Sequence, residues 1–405
     1  MAALSDFGTA GRAGILLIAL YDRTALWALP AKNEDCYIAA FRFGKFVMES
    51  GADDTASCHD GVFHGTGRDL TVCDDKSREN EGNDGGGETV VIRVNSAFNS
   101  ATVDETANGI AALEFVDRVA ERTNGAYEIK LFMDSQLGGS TDQIVGGLQT
   151  GAFEMCTKAV GDFGEFTDAF MPFNFPYLYS SPEVVHAIID GPVGDRIRQD
   201  CIDDLGIRVL AFTELGYRHV TNSKHPIKTP DDMKGLKIRT MNDPYQIAAM
   251  EALGAAVTPM SYSEVFTSLQ TKVIDGQENP CQNIWTDKFY EVQDYMTLTK
   301  HSYTVQIIGI SEAYFQTLPE DVQQILIEEG HNLELRNREE LEAIDNAQLE
   351  ELKKVMDVYE LSDEEYEAFR DIAATSWDAA KEAMGDEYFD LLMSEVEKAE
   401  AALKN

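Results

Sequence analysis

Arg239 closes the phrase LKIRT, in which the apolar Leu236 and Ile238 alternate with Lys237 and Arg239 as they do along a half-buried strand. Asn242, Asp243 and Pro244 follow, a combination that starts a helix: a short amide or carboxylate caps free backbone N–H groups, and proline suits the first turn. The spacing predicts a helix over 245–253, ended by Gly254. A cation at a strand's exit and beside a helix N-terminus stands where open α/β folds collect anions. Two further strand ends follow. Residues 255–258 read as a strand, and Ser261 with Glu264 as a capping box that places Tyr262 in the first turn of a helix running to Gln270. Residues 273–276 read as a third strand and 277–280 as a polar loop beyond it, since proline cannot donate to a ladder. Arg239, Tyr262 and Asn279 are thereby delivered to one rim, and a guanidinium fork, an aromatic plane and an amide suit a small planar carboxylate. Taken singly, the same residues have plainer uses. An arginine after a strand is usually a solvated or salt-bridged surface group, Tyr262 would serve in a core, and Asn279 in a turn.

The elements that must position these groups alternate between strand and helix. TVVIRVN (89–95) is a β-rich strand leading to Asn95 and Phe98, and 105–122 has helical period with Ile110, Leu113, Val116 and Val119 inward. YEIKLFM is the next strand, and 135–158 supplies turn, helix and strand again. Asn95, Phe98 and Lys158 fall at expected strand exits and are candidates for the first domain's wall of a cleft, although a lysine there is more often at the surface. The aromatic run 163–179, broken by prolines, suits a packed irregular loop, with core packing preferred over a docking surface for a membrane partner. ELGYRHVTNS carries the chain between domains, with Gly216 beside Arg218 letting the backbone turn. Residues 305–311 form an apolar strand, and Pro319 opens an acidic helix longer than a globular domain needs, so it should span both domains.

The phrases DDMKGLKIRT, ALGAAVTPMSYSEVF, LQTKVIDGQENP and KFYEV, in that order and at that spacing, resemble the substrate-binding proteins of tripartite ATP-independent periplasmic (TRAP) transporters, the DctP family. The resemblance runs from about Thr89 to the C-terminus. It implies an α/β, two-lobed periplasmic-binding-protein-like fold with a cleft between the lobes and a long C-terminal helix spanning both. Residues 89–215 plus 305–340 would make lobe 1, and 216–304 plus 341–405 lobe 2. It also implies Arg239 as the main carboxylate anchor, with Arg218, Asn279 and Tyr262 at the family's other ligand positions. The function implied is capture of a small organic acid (a C4-dicarboxylate, a sugar acid or a similar carboxylate) without a cofactor. Delivery would be to a small and a large integral-membrane subunit, driven by an ion gradient rather than ATP. A sensory binding protein feeding a receptor is the alternative, and an enzyme on a bilobal scaffold a further one.

Composition narrows the classes from another side. A chain of 405 residues exceeds one ordinary core, and 44% hydrophobic residues is the share of a folded soluble protein. Thirty-three basic against 71 acidic residues leave a net charge of −38, which excludes nucleic acid as a partner, since phosphate binding needs clustered positive charge. No H-E-x-x-H, P-loop or G-x-S-x-G is present, and His219 beside Arg218 reads as a hydrogen-bonded structural group, so no enzyme is expected. Cys156, Cys201 and Cys281 have no metal-like spacing and read as buried thiols. Residues 1–88 do not resemble the family and read as an atypical leader or linker, disordered or processed. The apolar run 15–20 is too short to span a bilayer and makes a poor export signal. Cys73 opens CDDKSRENEGNDGGGE, a polar tether of the kind that follows a lipidated cysteine, although Val72 stands where that motif wants a small residue and an ordinary linker explains it as well. The expected location is the periplasm, free or lipid-anchored.

Overall fold

The computed structural model describes residues 89–404 and, ahead of them, the strands β1 (Leu26–Trp27), β2 (Tyr37–Arg42) and β3 (Lys45–Ser50), which pair antiparallel in that order. The chain divides into two compact units, Met1–Gly85 and Gly86–Asn405. The second unit holds every site residue named above except Cys73, which lies outside the described residues.

In this unit β4 (Val90–Asn95), α1 (Ala107–Arg122) and β5 (Tyr127–Phe132) make a β-α-β unit with parallel strands. The Thr106 side chain caps α1 by accepting from the Gly109 N–H, which satisfies one of the helix's unpaired donors. The buried face of α1 carries Ala107, Ala111, Phe115 and Val119; of the residues expected inward, Ile110, Leu113 and Val116 are only half-buried. Bulky residues marked a helix here but misplaced its face by part of a turn, because the buried face also takes alanines, which the hydrophobic pattern underweights. α2 (Thr141–Thr150) leads to β6 (Met155–Ala159), parallel to β4 on its other side. The aromatic run is irregular as expected, with 3-10 turns at Val160–Phe163 and Met171–Asn174, and it buries Phe163, Phe170, Phe173, Phe175 and Tyr179 in one core cluster. α3 (Pro182–Ile189) and α4 (Pro192–Leu205) cover that cluster before β7 (Ile207–Tyr217).

The chain then changes sheet. β8 (His219–Asn222), β9 (Lys237–Arg239), α5 (Pro244–Ala252), β10 (Ala256–Val257), α6 (Val265–Gln270), β11 (Gly276–Asn279), α7 (Cys281–Thr286) and β12 (Tyr295–Leu298) build the second lobe. β13 (Tyr303–Ser311) returns to the first sheet, and α8 (Glu312–Phe315) leads to α9 (Glu320–Val355). β14 (Asp357–Glu360), α10 (Asp363–Ala373), α11 (Trp377–Met384) and α12 (Asp386–Leu403) complete the chain. The strand orders are β5-β4-β6-β13-β7 and β10-β9-β11-β8-β12-β14, so the molecule has two sheet-centred lobes.

β11 departs from the reading of its sequence. The strand is not the apolar 273–276 but GQEN itself, every residue of it buried, while Val273 is 57% exposed. β11 lies between β9 and β8, where Gly276 is required: a Cβ there would stand 2.1 Å from the Thr221 carbonyl oxygen. Its polar side chains bond to Arg218, to Thr221 on β8 and to one another, so a buried strand reads as a loop by hydropathy. Ser261 likewise caps nothing with its side chain; a 3-10 turn over Tyr262–Glu264 precedes the short α6.

Among the described residues, four passages tie the lobes. Arg218 is the single residue between β7 and β8, and Gly216 before it takes φ 94° at a bulge where β7 slips against β13. Residues 299–302 carry the chain back. The 36-residue α9, about 54 Å long, packs on α1 and β7 early in its course and reaches α7 and the second lobe's core through Leu349 and Leu352. α10 joins the second lobe through Phe369 and Ala373, whereas α12 returns to α3 and α4 with Tyr388, Leu392 and Val396.

Candidate functional site

A cavity between the lobes encloses about 780 Å³, its mouth included, a size suited to one small molecule. Six of the seven residues singled out as ligand contacts line it: Phe98 and Lys158 from the first lobe, Arg218 from the crossing, and Arg239, Tyr262 and Asn279 from the second. Asn95 does not. As the last residue of β4 it spends its Nδ2 on the Gly138 carbonyl at 2.9 Å, in the turn that precedes α2.

Arg239 ends β9 and has no solvent exposure. Asp243 starts α5 close by, its carboxylate accepting from the N–H groups of Tyr245 (2.8 Å) and Gln246 (3.1 Å), as the Asn-Asp-Pro spacing predicts. Nε and Nη2 of Arg239 both donate to the Met260 carbonyl, at 3.1 and 2.7 Å, and Nη1 is buried without a partner. Burial works against the charge and lowers the pKa, opposed by the carboxylates of Asp162 and Glu278. The ring of Tyr262 lies 5.9 Å from the guanidinium carbon. Its hydroxyl donates to Asp287 and accepts from Asn283 Nδ2 at 3.0 Å, so both ends of the tyrosine are held.

The other two cations of the lining are already neutralised. Lys158 Nζ stands 2.7 Å from Asp162 Oδ2, four residues along the chain. Arg218 forks onto Glu278, gives Nη1 to Thr304 Oγ1 at 2.9 Å, and shares Nη2 with Asn279 Oδ1 at 3.1 Å. Burial works to raise the Glu278 carboxyl, but Arg218 and His301 overcome it and hold it down at about 2. Asn279 in turn donates to Gln277. Arg218 therefore reaches the cavity with most of its donors spent on Glu278, Thr304 and Asn279, and Asn279 with its oxygen accepting from Arg218 and its amide nitrogen donating to Gln277. His219 is buried and held neutral, pushed down to about 3 by burial and by His301, Lys300 and Arg218, with Nδ1 accepting from the Lys300 N–H.

Sequence reasoning passed over Glu278, Asp162, Gln282, Asn283 and Asp287. The (i, i+4) spacing of Lys158 and Asp162 was a signal for one of them; the others lie on elements whose burial only the sheet order decides. Asp287 joins the lobes, accepting from Tyr262 on one oxygen and from first-lobe Asn99 Nδ2 at 3.1 Å on the other. Burial raises its carboxyl despite those donors. Beyond Met241 and Thr304, which line both, lies a second space of about 420 Å³ bordered by Asp243, Gln246 and His301. Cys156, Cys201 and Cys281 are buried free thiols, and no cluster of metal-ligating side chains occurs among the described residues.

Two sheet-centred lobes with a polar cavity between them, and one buried cation in it still short of a partner, define a solute-binding protein. The chain belongs to the family of bacterial extracellular solute-binding proteins, family 7 (DctP), whose model matches residues 98–383. It is 34% identical over 307 residues to the 2,3-diketo-L-gulonate-binding periplasmic protein YiaO of Escherichia coli, an alignment covering 76% of this chain and 89% of that protein. The crystal structure of the sugar acid binding protein DctPAm of Advenella mimigardefordensis, in complex with galactonate, superposes with a TM-score of 0.73 at 30% identity over 77% of this chain and 99% of that one. A TRAP periplasmic solute-binding protein of Shewanella oneidensis with bound succinate superposes with a TM-score of 0.71 at 26% identity, over 76% and 100% of the respective chains. The family binds solutes for transporters and is not an enzyme family. No helix among the described residues is long and apolar enough to cross a membrane.

Proposed function

We propose that this chain captures a small organic acid in the periplasm, its carboxylate held by Arg239, and hands it to the small and large membrane subunits of a TRAP transporter. The observation that carries the reading is the guanidinium of Arg239: fully buried, unpaired with any carboxylate, and with Nη1 unsatisfied. Met260 takes the pair of hydrogens on the Nε side. The end-on pair, one hydrogen from each terminal nitrogen, remains for a bidentate carboxylate, which would compensate the buried charge. Tyr262 forms the wall beside the guanidinium, Phe98 and Lys158 close the first-lobe side, and the Arg218–Glu278–Asn279 network sets the floor. The galactonate and succinate held by similar proteins support an organic acid as the ligand class. The lobes that close are the two sheet-centred halves, turning about 216–218 and 299–302, and ligand contacts to both would hold the closed form that a transporter recognises.

A thermal-shift screen of organic acids tests this on the wild type and on Arg239→Ala, since a ligand of the native form raises apparent stability. The expected result is a shift with one or more acids that the variant loses. Failure of every acid to shift the wild type, or an equal shift in the variant, overturns the reading.

A further inference from the structure

Among the described lining residues, the buried polar atoms left without a partner are Arg239 Nη1, which can only donate, Thr102 Oγ1, which can do either, and two side-chain amide oxygens, which can only accept. Gln282 Oε1 and Asn283 Oδ1 are buried and without a partner, and both residues line the cavity. Their orientations follow from what their nitrogens do. Gln282 Nε2 donates to the Leu215 carbonyl at 2.9 Å, which can only accept, so its oxygen is the atom left over. Tyr262 gives its hydroxyl proton to Asp287, so Asn283 must present Nδ2 to the tyrosine oxygen, again leaving an oxygen. Asp287, which also lines the cavity, accepts on both carboxylate oxygens and has no cation beside it among the described residues.

We propose that the cavity selects an acid with a single carboxylate and hydroxyl groups on the carbons beyond it, a sugar acid in chemical class, and discriminates against a second carboxylate. This rests on Arg239 being the anchor for the first. A second carboxylate would need another unspent cation, and among the described lining residues Lys158 is held by Asp162 and Arg218 by Glu278. It would instead meet the lone pairs of Gln282 and Asn283 and the charge of Asp287. A hydroxyl carries a proton to give those acceptors. A buried acceptor left without a donor costs enough to change affinity by about ten- to a hundredfold, so the contrast is measurable.

The experiment is calorimetric titration of the wild type, Arg239→Ala, Asn283→Ala and Asp287→Asn with D-gluconate and D-galactonate on one side and succinate and L-malate on the other. At least one aldonate should bind wild type about tenfold or more tightly than either dicarboxylate. Asn283→Ala should weaken the aldonate, and Asp287→Asn should narrow the gap by strengthening the dicarboxylate, with the melting temperature of each unliganded variant showing that it is folded. Dicarboxylates binding wild type as tightly as the aldonates, or a ratio unmoved by both Asn283→Ala and Asp287→Asn, overturns the selectivity. If Arg239→Ala still abolishes binding in that case, the anchor reading survives. If no acid of either class binds, or Arg239→Ala binds like wild type, the anchor itself fails and the selectivity falls with it.

Discussion

Arg239 and Met260 are locked by a single carbonyl oxygen that receives two guanidinium hydrogens, from Nε at 3.1 Å and Nη2 at 2.7 Å. One neutral acceptor fixes the guanidinium plane without neutralising it. Arg218, fully buried as well, shows the other outcome, forked onto Glu278. Of two arginines that look alike in sequence, one is a finished ion pair and the other stays short of a counter-charge.

Removing the Arg239 fork should weaken acid binding by about 2–5 kcal/mol, the range for losing one partner of a buried charge pair. Arg239→Lys should not restore it, because an ammonium keeps the charge but not the planar pair of donors. Arg239→Met should also raise the melting temperature of the unliganded protein, since it removes an uncompensated buried charge at similar volume. Calorimetry and thermal unfolding check the two effects separately, and a lower melting temperature for Arg239→Met would contradict the second.

Glu278→Gln should cost about 3–5 kcal/mol at neutral pH by leaving Arg218 buried and unpaired. Because the folded-state pKa of Glu278 is held down at about 2, from the usual 4.5, the wild type's advantage is present above pH 4.5 and is lost as pH falls towards 2. Urea unfolding of both proteins at pH 7 and pH 3.5 should show the gap narrowing in acid.

Asp243 has the opposite sign. Burial pushes it up to about 7; the N–H groups of Gln246 and Tyr245 pull against that, and the charges of Asp162 and Glu278 add to it. The folded protein therefore holds this proton more tightly than the unfolded chain, and the stability it contributes is complete below pH 3.8 and drains away as pH rises through 7. Asn caps a helix as well as Asp does. Asp243→Asn should leave α5 intact and flatten the fall in stability between pH 5 and pH 8, measured by urea unfolding across that range.

Gly276→Ala should destabilise by about 1–3 kcal/mol, because the new methyl meets the Thr221 carbonyl in a central strand with nothing flexible to yield. Val273→Thr, three residues earlier on an exposed side chain, should stay within about 0.5 kcal/mol of wild type. Chemical denaturation of the pair tests whether β11 begins at Gly276 or at the apolar residues before it.

The amino-acid order alone determined what local forces decide: the strand and capped helix around Arg239, the aromatic loop between β6 and α3, the uninterrupted α9, and a family pattern whose four positions line the cavity. Each depends on neighbours within a few residues or on a recurring phrase. Only the tertiary structure decided which polar groups were spent. That Glu278 sits opposite Arg218, that GQEN is a buried strand, and that Gln282, Asn283 and Asp287 face the same space as Arg239 all follow from the order of strands in the second sheet and from the crossing at Arg218. Local sequence carries no record of which side chains, distant along the chain, will meet in a water-poor space, yet their pairing there decides which charge is left for a ligand.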